Sequence, residues 1–309
     1  MTAVPPGARG VRLADAPTVS VVVASCRERR LLDACLASLL PQCRTHGAAV
    51  VVARADSPEG LADLQRVYPE VRFVPAPPDA TIPQLRGQGL AEADGDIVAL
   101  TEDHCVAAPD WIAQLAAAPR GADVVGGAMG NARRDRALDW AAYFSEYGFF
   151  AGGAAPAGAR PSLTGANVAY RRRVIDHVVT LARQGEWENV VHSRLAASGS
   201  TLSFLTTAAV YQNDTYRFWG FCRNRYEHGR DYARRRLVEE GGSRRLLYLA
   251  GSAVIPFLLT ARVAGAVTRA DRRAFFRALP LTFAFLTAWA VGEAVGYVLG
   301  PTSELAGAR

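Results

Sequence analysis

Three ionisable residues interrupt the apolar segment IVALTEDHCVAAPDW, at the point where a β-rich run ends. They are Glu102, Asp103 and His104. Further along the chain, Glu188 and His192 are four residues apart, a spacing that places both on one face of a helix. Carboxylates and imidazoles bind metal ions and accept protons. These residue types therefore indicate metal binding or acid–base chemistry.

The spacing within the triplet predicts a shared ligand. Residues i and i+2 of an extended segment point to the same side, so Glu102 and His104 can hold one ion while Asp103 turns aside. A carboxylate with an imidazole suits Mn²⁺, whereas Mg²⁺ prefers oxygen ligands only. We therefore predict a divalent metal, Mn²⁺ or Mg²⁺, at Glu102 and His104. The alternative is a capped strand end with solvated charges.

The first 110 residues alternate between apolar runs and helical patterns. Continuous β-branched runs predict strands that are buried on both faces. Four such strands are predicted at residues 18–25, 48–57, 71–77 and 97–104. The alternation predicts an α/β fold with a mostly parallel sheet flanked by helices. In such sheets ligands bind outside the carboxyl ends of the strands, where Ser25, Asp56 and Glu102 lie.

Beyond residue 111 the pattern is less regular. Two further strands are predicted at residues 123–131 and 162–172, and two helices at residues 137–150 and 186–199. The glycine-, alanine- and proline-rich segment 151–161 is long enough to form a mobile lid.

The chain becomes strongly apolar near its C-terminus. The segments 246–267 and 278–300 each have about the 20 residues that a bilayer crossing needs. An arginine-dense stretch precedes them, which suits an anionic cytoplasmic leaflet. If both segments crossed the membrane, the basic loop RADRR would lie outside, against the positive-inside tendency, whereas a re-entrant or in-plane hairpin avoids this conflict. We predict a C-terminal apolar helical hairpin at the membrane, with a soluble helical subdomain as the alternative.

Composition narrows the class of protein. The net charge of +6 rests on arginine alone, because the 309 residues include no lysine. This is a compositional bias rather than a nucleic-acid signature, so we expect no nucleic acid partner. Five cysteines without C-x-x-C spacing indicate a reducing compartment. The N-terminal residues lack the apolar core of a signal peptide.

Four segments resemble family 2 glycosyltransferases with the GT-A fold. In chain order they are TVSVVVASCRERRLLDACLASLLPQ, GDIVALTEDHCVAAPDWI, TGANVAYRRRVI and GEWENVVHSRLAASG. The segment RNRYEHGRDYARRR, followed by an apolar pair, also resembles membrane-associated bacterial members. The resemblance implies a Rossmann-like GT-A fold. We expect a flexible N-terminus at residues 1–17, a GT-A domain at 18–230, and a basic juxtamembrane segment with two apolar helices at 231–309.

The resemblance also implies a reaction. A single sugar would move, with inversion, from a nucleotide-sugar donor, with a UDP-sugar favoured, to a lipid-linked or other membrane-proximal acceptor, such as a glycan. The site would face the cytoplasmic side of the bacterial inner membrane. The Q-x-x-R-W motif of processive synthases is absent, because Gln212 is followed by NDTYRFW, and this favours a single transfer. The departing diphosphate carries negative charge that a metal or arginines must neutralise.

Roles for individual residues follow from the resemblance. The family's D-x-D corresponds to Glu102, Asp103 and His104, a departure that leaves the metal in question. Donor-binding positions are expected at Ser25, Asp56, Arg86, Asp103, Gly165 and Asn167. Glu188 matches the family's catalytic base, although Trp187 replaces the acid that usually precedes it. Acceptor or phosphate groups are expected to bind Arg223, Arg225 and Arg230.

Each role has a structural alternative. Asp56 suits an ordinary turn, Arg86 a helix surface, Glu188 and His192 an exposed pair, and the three later arginines a juxtamembrane basic patch. The alternative function is a non-catalytic GT-A-like membrane scaffold with a degenerate metal motif. A sugar-phosphate nucleotidyltransferase would need a glycine-rich phosphate loop after the first strand, and SCRERR has no glycine.

Overall fold

The structure is a computed structural model that describes residues 17–152, 158–159 and 163–301. The N-terminal segment expected to be flexible and the greater part of the segment predicted as a lid lie outside these residues.

Nine strands are found in this range. They are β1 (Val19–Ser25), β2 (Ala49–Arg54), β3 (Val71–Pro75), β4 (Ile97–Glu102), β5 (Cys105–Ala107), β6 (Val124–Asn131), β7 (Gly158–Ala159), β8 (Asn167–Arg171) and β9 (Leu202–Gln212). The α-helices of the same range are α1 (Arg29–His46), α2 (Pro58–Val67), α3 (Ile82–Ala91), α4 (Trp111–Ala116), α5 (Ala137–Tyr147), α6 (Arg172–Arg183), α7 (Glu188–Ala197), α8 (Phe218–Glu240), α9 (Arg245–Ser252), α10 (Ile255–Ala266) and α11 (Arg272–Leu299).

The strands form one mixed sheet in the order β3-β2-β1-β4-β8-β6-β9-β5, with β7 paired to β9. The first four strands of this order are parallel, β8 runs antiparallel between β4 and β6, and β6 and β9 are parallel. All residues of β1 are buried because helices cover both faces of the sheet: Val21 and Val23 belong to one core and Val22 to the other. The predicted α/β fold with a mostly parallel sheet flanked by helices is confirmed.

Strand register brings the polar strand ends together. Ala24 of β1 lies opposite Glu102 of β4, and Ser25 lies opposite Arg54 of β2. The carboxyl ends of β1, β2 and β4 therefore form one edge, which we call the rim. Residues that the sequence separates by up to about 80 positions meet here because parallel pairing aligns these ends.

Close helix packing brings α3 to the rim. A side chain at Gly89 would overlap with Val22 of β1, and one at Gly87 would press on Arg183 of α6. The two glycines therefore allow α3 to lie tightly between the sheet and α6. The backbone N–H of Thr81 donates to the Gln84 side chain, which closes the start of α3. This packing holds Arg86, in the middle of α3, in the interior.

The C-terminal region differs from the predicted hairpin. The first apolar segment is not one helix: it is broken between α9 and α10, where the axis bends by 69°. Pro256 lies in the first turn of α10, where its missing N–H and fixed φ favour a helix start over a helix interior. The boundary expected at residue 230 also falls inside α8, which continues to Glu240.

The last helix packs along the rest of the protein. Within the described residues, α11 is the one helix long and apolar enough by itself to cross a membrane, and the bent α9–α10 pair reaches that length only as one span. Gly292 and Gly296 bring α11 onto the backbone of α8 at Tyr226 and Arg230. Phe275 packs edge-on against Phe144 of α5. The predicted apolar helix is therefore present as α11, and it also packs against the other helices as an integral part of the fold.

Candidate active site

The centre of the site is Arg86, which joins two acids. Its Nη1 donates to Glu188 Oε2 at 2.7 Å, and its Nη2 donates to Glu102 Oε1. The Arg86 side chain is only 7% exposed. The structure thus brings the predicted base, at the first residue of α7, within one guanidinium of the triplet at the end of β4. We call Glu102, Arg86 and Glu188 the buried ion cluster.

Electrostatics keep this cluster ionised. Burial opposes the charge on Glu188, but Arg86 outweighs it and holds the pKa of that carboxyl below its usual value. For Glu102 burial acts in the same opposing sense, and Arg86 again lowers its pKa. The two acids in turn raise the pKa of Arg86 against its burial. Both carboxylates are therefore charged at neutral pH.

The surroundings of Arg86 fit its guanidinium closely. Gly165 lies directly against it, so that any side chain at that position would overlap with the guanidinium. The Trp187 ring lies 5.6 Å from the guanidinium carbon, within cation–π range. Trp187 stands where the family has an acid, and here it covers the arginine. The buried Nε of Arg86 has no hydrogen-bond partner among the described residues.

Glu102 and His104 lie on the same side of the strand end. The distance from His104 Nδ1 to Glu102 Oε2 is 3.4 Å, and His104 Nε2 lies 3.2 Å from the Tyr147 hydroxyl. Asp103 faces β1 instead, where its Oδ2 accepts from Ser25 Oγ at 2.9 Å and from the backbone N–H of Arg27 at 2.7 Å. Burial nevertheless raises the pKa of Asp103.

The donor set at this point fits a metal only in part. No group of three or more ligating side chains occurs in the portion of the chain that the structure describes. One oxygen of Glu102 is taken by Arg86, and the other faces His104. Two protein ligands suffice where substrate phosphates complete the coordination shell, and the imidazole of His104 favours Mn²⁺ over Mg²⁺.

A polar network extends the rim to β2. Arg54 donates from Nη1 to Ser25 Oγ at 2.8 Å and from Nε to Asp56 Oδ2 at 2.8 Å. The hydrogen bond from Arg54 lowers the pKa of Asp56, which lies near the surface. Gly60 leaves room for this carboxylate, since a Cβ there would overlap with it. The predicted positions Ser25 and Asp56 are thus connected to Asp103.

Asn167, which was predicted to bind the donor, and His192, which was predicted to lie beside Glu188, both make hydrogen bonds within the core. The Asn167 amide donates to Ala128 O at 2.8 Å and to Ala208 O at 2.9 Å, and its Oδ1 accepts from Trp111 Nε1 at 2.8 Å. This fully buried amide holds neighbouring strands together, and both its N–H groups and its oxygen already have protein partners, so it is not available to bind the nucleotide-sugar donor. His192 points inward as well: Leu163 N–H donates to its Nδ1, and burial lowers its pKa to about 4. It does not orient Glu188 through a hydrogen bond.

The three α8 arginines that were predicted to bind phosphate pair with acids outside the buried ion cluster. Arg223 is exposed and pairs with Glu227 at 2.9 Å. Arg225 is buried, pairs with Glu146 at 3.2 Å and lies over the Trp289 ring of α11. Arg230 is near Asp231, at 3.5 Å. Arg225 therefore holds α8 to α5 and α11, a role that differs both from the predicted phosphate ligand and from a juxtamembrane basic patch.

The sequence interpretation missed several residues of the rim. Arg27 and Arg54 contact Asp103 and Ser25, and Tyr147 contacts His104. Arg27 and Arg54 stand directly at strand ends, and that position was an available signal. Tyr147 lies in an aromatic-rich helix, and nothing local distinguishes it from a core residue.

Comparisons with known proteins place this geometry in context. The family model described as "Glycosyl transferase family 2" matches residues 20–179. This range includes the rim, Arg86 and the triplet, whereas Glu188 lies just beyond it. No curated protein matches the chain in sequence.

Solved structures are similar in fold. A mannosyltransferase, PcManGT from Pyrobaculum calidifontis in complex with GDP-Man and Mn²⁺, is 19% identical with a TM-score of 0.54, covering 91% of this chain and 88% of that chain. GalNAc-T7 with UDP, GalNAc and Mn²⁺ is 15% identical with a TM-score of 0.50, covering 66% of this chain and 46% of that chain. At these identities the likeness shows the fold alone, and it confirms the GT-A architecture.

Proposed function

Because the chain belongs to glycosyl transferase family 2, and is thereby a glycosyltransferase, we propose that it moves a single sugar from a nucleotide-sugar donor to a membrane-proximal acceptor. The proposed reaction inverts the configuration at the anomeric carbon. Similar structures hold GDP-Man or UDP, which supports a nucleotide-sugar donor, and we favour a UDP-sugar. A lipid-linked acceptor is the favoured partner.

The observation that carries the proposal is the buried ion cluster. Inverting transfer needs a base on one side of the anomeric carbon and a charged leaving group on the other. Arg86 bonds to both Glu188 and Glu102, so a single guanidinium separates the proposed base from the acid proposed to lie near the leaving group. A scaffold protein has no need to keep the carboxylates of Glu102, at the end of β4, and Glu188, at the start of α7, charged around one arginine.

Glu188 is the proposed catalytic base. Arg86 keeps it deprotonated, and its side chain remains 25% exposed, so an acceptor hydroxyl can reach it. As the acceptor oxygen bonds to the anomeric carbon, its proton passes to Glu188. The bond from that carbon to the diphosphate oxygen breaks, and the electron pair leaves with the nucleoside diphosphate.

A divalent metal belongs to this proposal, with Glu102 and His104 as the residues that would hold it. Such an ion would neutralise charge on the departing diphosphate. Arg86 sets the orientation of Glu102 and shields it from Glu188. Asp103 fixes the loop after β1 through Ser25 and the Arg27 amide. Asp56 and Ser25 are proposed to contact the nucleoside.

We also propose that the C-terminal helices attach the protein to the cytoplasmic face of a bacterial inner membrane. Residues 241–301 contain seven arginines and two acids. Large apolar side chains are exposed in the same region: Leu246, Leu247, Val254, Phe257, Leu258, Phe276, Val291, Val298 and Leu299. Basic residues beside an apolar surface suit anionic lipids.

An in-plane arrangement suits this region better than a crossing. The helix α11 packs along α8, which carries six arginines. If α11 crossed the bilayer, these polar groups would follow it into hydrocarbon at high cost. Flotation with anionic vesicles should therefore recover the protein, a high-salt or carbonate wash should release it, and Phe257→Glu with Leu258→Glu should abolish binding. Val67→Glu, at an exposed site on α2, is the matched control.

The reaction is tested with purified protein and a panel of nucleotide sugars. We expect nucleoside diphosphate release, reduced about 10²–10⁴-fold in Glu188→Gln. Glu186→Gln is the matched control, because Glu186 pairs with Arg194 and Arg235 outside the cluster. Full activity in Glu188→Gln would remove Glu188 as the base.

A thermal-shift panel separates the enzyme from the scaffold. UDP or GDP, with and without Mn²⁺, should raise the midpoint of unfolding, because a ligand stabilises the folded state according to its affinity. A nucleotide shift that requires Mn²⁺ would support the metal. No shift with any nucleotide, together with no turnover, would favour the non-catalytic scaffold.

A further inference from the structure

A polar cleft of about 760 Å³ opens beside the rim. One wall is the loop after β1, and the other is formed by residues 214–224, which connect β9 to the first turns of α8. The end of α5 closes it at Glu146. None of the residues that the sequence predicted as ligands lines this cleft.

Four arginines from separate segments line the cleft. They are Arg27, Arg30, Arg136 and Arg217. The side chains of the first three are 45%, 51% and 52% exposed, so each is accessible to a ligand without unfolding. Guanidinium groups bind phosphate oxygens through two parallel hydrogen bonds. Convergence of four on one cleft indicates an anionic ligand.

The acids of the cleft do not match this positive charge. Glu146 is already paired with Arg225 behind the wall, at 3.2 Å, and Glu28 with Arg30 at 2.7 Å. Asp214 lies 3.9 Å from Arg27, and Arg136 lies 3.7 Å from Asp139, which is outside the cleft lining. Arg217, which is exposed, has no ion-pair partner among the residues that the structure describes. The cleft therefore holds at least one guanidinium that its own carboxylates leave uncompensated.

A buried acceptor in the same wall also lacks a partner. The Oδ1 of Asn224 is inaccessible to solvent and accepts no hydrogen bond from the described residues. Such an atom is satisfied by a water or by a ligand hydroxyl. The exposed arginines, and not this buried oxygen, are therefore the groups of the cleft that a ligand can reach.

The cleft is joined to the catalytic rim at two points. The Arg27 amide donates to Asp103, and Tyr147, next to Glu146, contacts His104. We propose that this arginine cleft binds the phosphate or diphosphate group of a substrate, with Arg217 as its principal uncompensated contact. The proposal rests on the proposed function only for the identity of that substrate, which is either the nucleotide donor or a phosphorylated acceptor.

The test compares Arg217→Gln with Arg66→Gln. Both residues are exposed arginines, but Arg66, on α2, pairs with Asp63 and lies outside the cleft. Calorimetric titration with inorganic diphosphate should show about 10-fold weaker binding for Arg217→Gln, the usual effect of losing one charge-assisted contact. Arg66→Gln should bind like the wild type. Arg30→Gln gives a second variant in the cleft, with an expected loss of similar size.

Two results would overturn the proposal. One is equal diphosphate affinity in the wild type, Arg217→Gln and Arg30→Gln. The other is equal weakening in Arg217→Gln and Arg66→Gln, which would mean unspecific attraction to a basic protein. These titrations need no turnover, so they can succeed even if the glycosyl transfer assay fails, and they can fail while that assay succeeds.

Two further ligands distinguish the two possible sources of the phosphate, the nucleotide donor and a phosphorylated acceptor. If the donor diphosphate occupies the cleft, Arg217→Gln weakens UDP binding and leaves geranyl phosphate, a soluble isoprenyl phosphate, unaffected. If a phosphorylated acceptor occupies it, the pattern reverses. Either pattern supports the cleft as a phosphate site. If Arg217→Gln binds both UDP and geranyl phosphate as tightly as the wild type does, the proposal is contradicted.

Discussion

Arginines occupy both sides of the rim, but in opposite environments. Arg86 is buried, bonded to two acids and covered by Trp187. Arg217 stands in an open cleft and has no acidic partner among the described residues. The first arginine has its charge neutralised by the protein, whereas the second retains a charge that a ligand can neutralise. The contrast separates an arginine that organises the site from one that is available for binding.

The physical cost of burial explains this division of roles. A guanidinium inside a protein needs paired acids, since an isolated buried charge is strongly unfavourable. Once paired, it positions its partners but has little attraction left for a substrate. An arginine in a cleft keeps its water and can exchange that water for phosphate oxygens. The sequence match of Arg86 to a donor-binding position does not reveal which of these it is.

Removal of Arg86 is expected to have the largest effect. Arg86→Met leaves Glu102 and Glu188 buried without a counter-charge, so the free energy of unfolding should fall by about 3–5 kcal/mol. Arg86→Lys keeps the charge but cannot bond to both acids in the same way, and its loss should be smaller. Urea unfolding at neutral pH measures both. The matched control is Arg72→Met, whose surface pair with Glu92 should contribute less than about 1 kcal/mol.

Acidification distinguishes lost charge pairing from lost packing in Arg86→Met. In the wild type the pKa of Glu102 and of Glu188 is lowered from 4.5, so their stabilising effect exists above that pH and is lost as pH falls through the lowered values. In the variant the strongest influence that lowers both pKa values is absent, so both values are higher than in the wild type, although His104 and Arg27 still act against burial at Glu102. The stability deficit should therefore shrink below pH 4.5. A deficit that is constant with pH would contradict the charge explanation.

His192, behind the buried ion cluster, is expected to limit stability in mild acid. Its pKa falls from 6.5 to about 4 because burial disfavours the charged ring. The unfolded chain therefore binds a proton that the folded protein excludes, and stability drops as pH falls from 6.5 to 4, by up to about 3 kcal/mol. His192→Gln should flatten this part of the stability profile, measured by urea unfolding at several pH values. His177→Gln, at an exposed position, should leave the profile unchanged.

Much of the fold follows from local patterns. The continuous apolar runs of β1, β2 and β4 predict strands buried on both faces, and the spacing of polar residues at their ends correctly predicts a polar edge. These features depend on neighbouring residues, so the sequence contains them directly. The grouping of Ser25, Asp56 and the triplet required only the rule that parallel strands share an end.

Other features depend on distant partners. Arg86 and Glu188 are 102 positions apart, and neither residue's surroundings in the sequence indicate the other. Arg225 looks like part of a basic patch, but it is buried because Glu146 and Trp289 meet it from two other helices. The break after α9 is different, since Pro256 was visible in the sequence. The apolar composition of residues 246–267 led to the prediction of one continuous helix, although Pro256 indicates that a new helix starts there.

Gly165→Ala tests how closely the interior fits Arg86. The added methyl group would overlap with the guanidinium, so the arginine must shift from Glu188 or Glu102. We expect a loss of about 1–3 kcal/mol in stability and a larger proportional loss in sugar transfer. Gly121→Ala is the matched control, because nothing lies within reach of its Cβ. Normal activity in Gly165→Ala would show that the position of Arg86 is not critical.

The smallest effect on folding is expected on the open side of the rim. Arg217→Gln and Arg30→Gln should change the free energy of unfolding by less than about 0.5 kcal/mol, because the Arg217 side chain has no ion-pair partner within the part of the chain that the structure describes and Arg30 has an exposed one. Both variants should nevertheless weaken diphosphate binding. The same residue type would then contribute to stability on one side of the rim and to binding on the other. If Arg217→Gln instead destabilised the fold as Arg86→Met does, the cleft arginines would be structural and the contrast between the two sides would disappear.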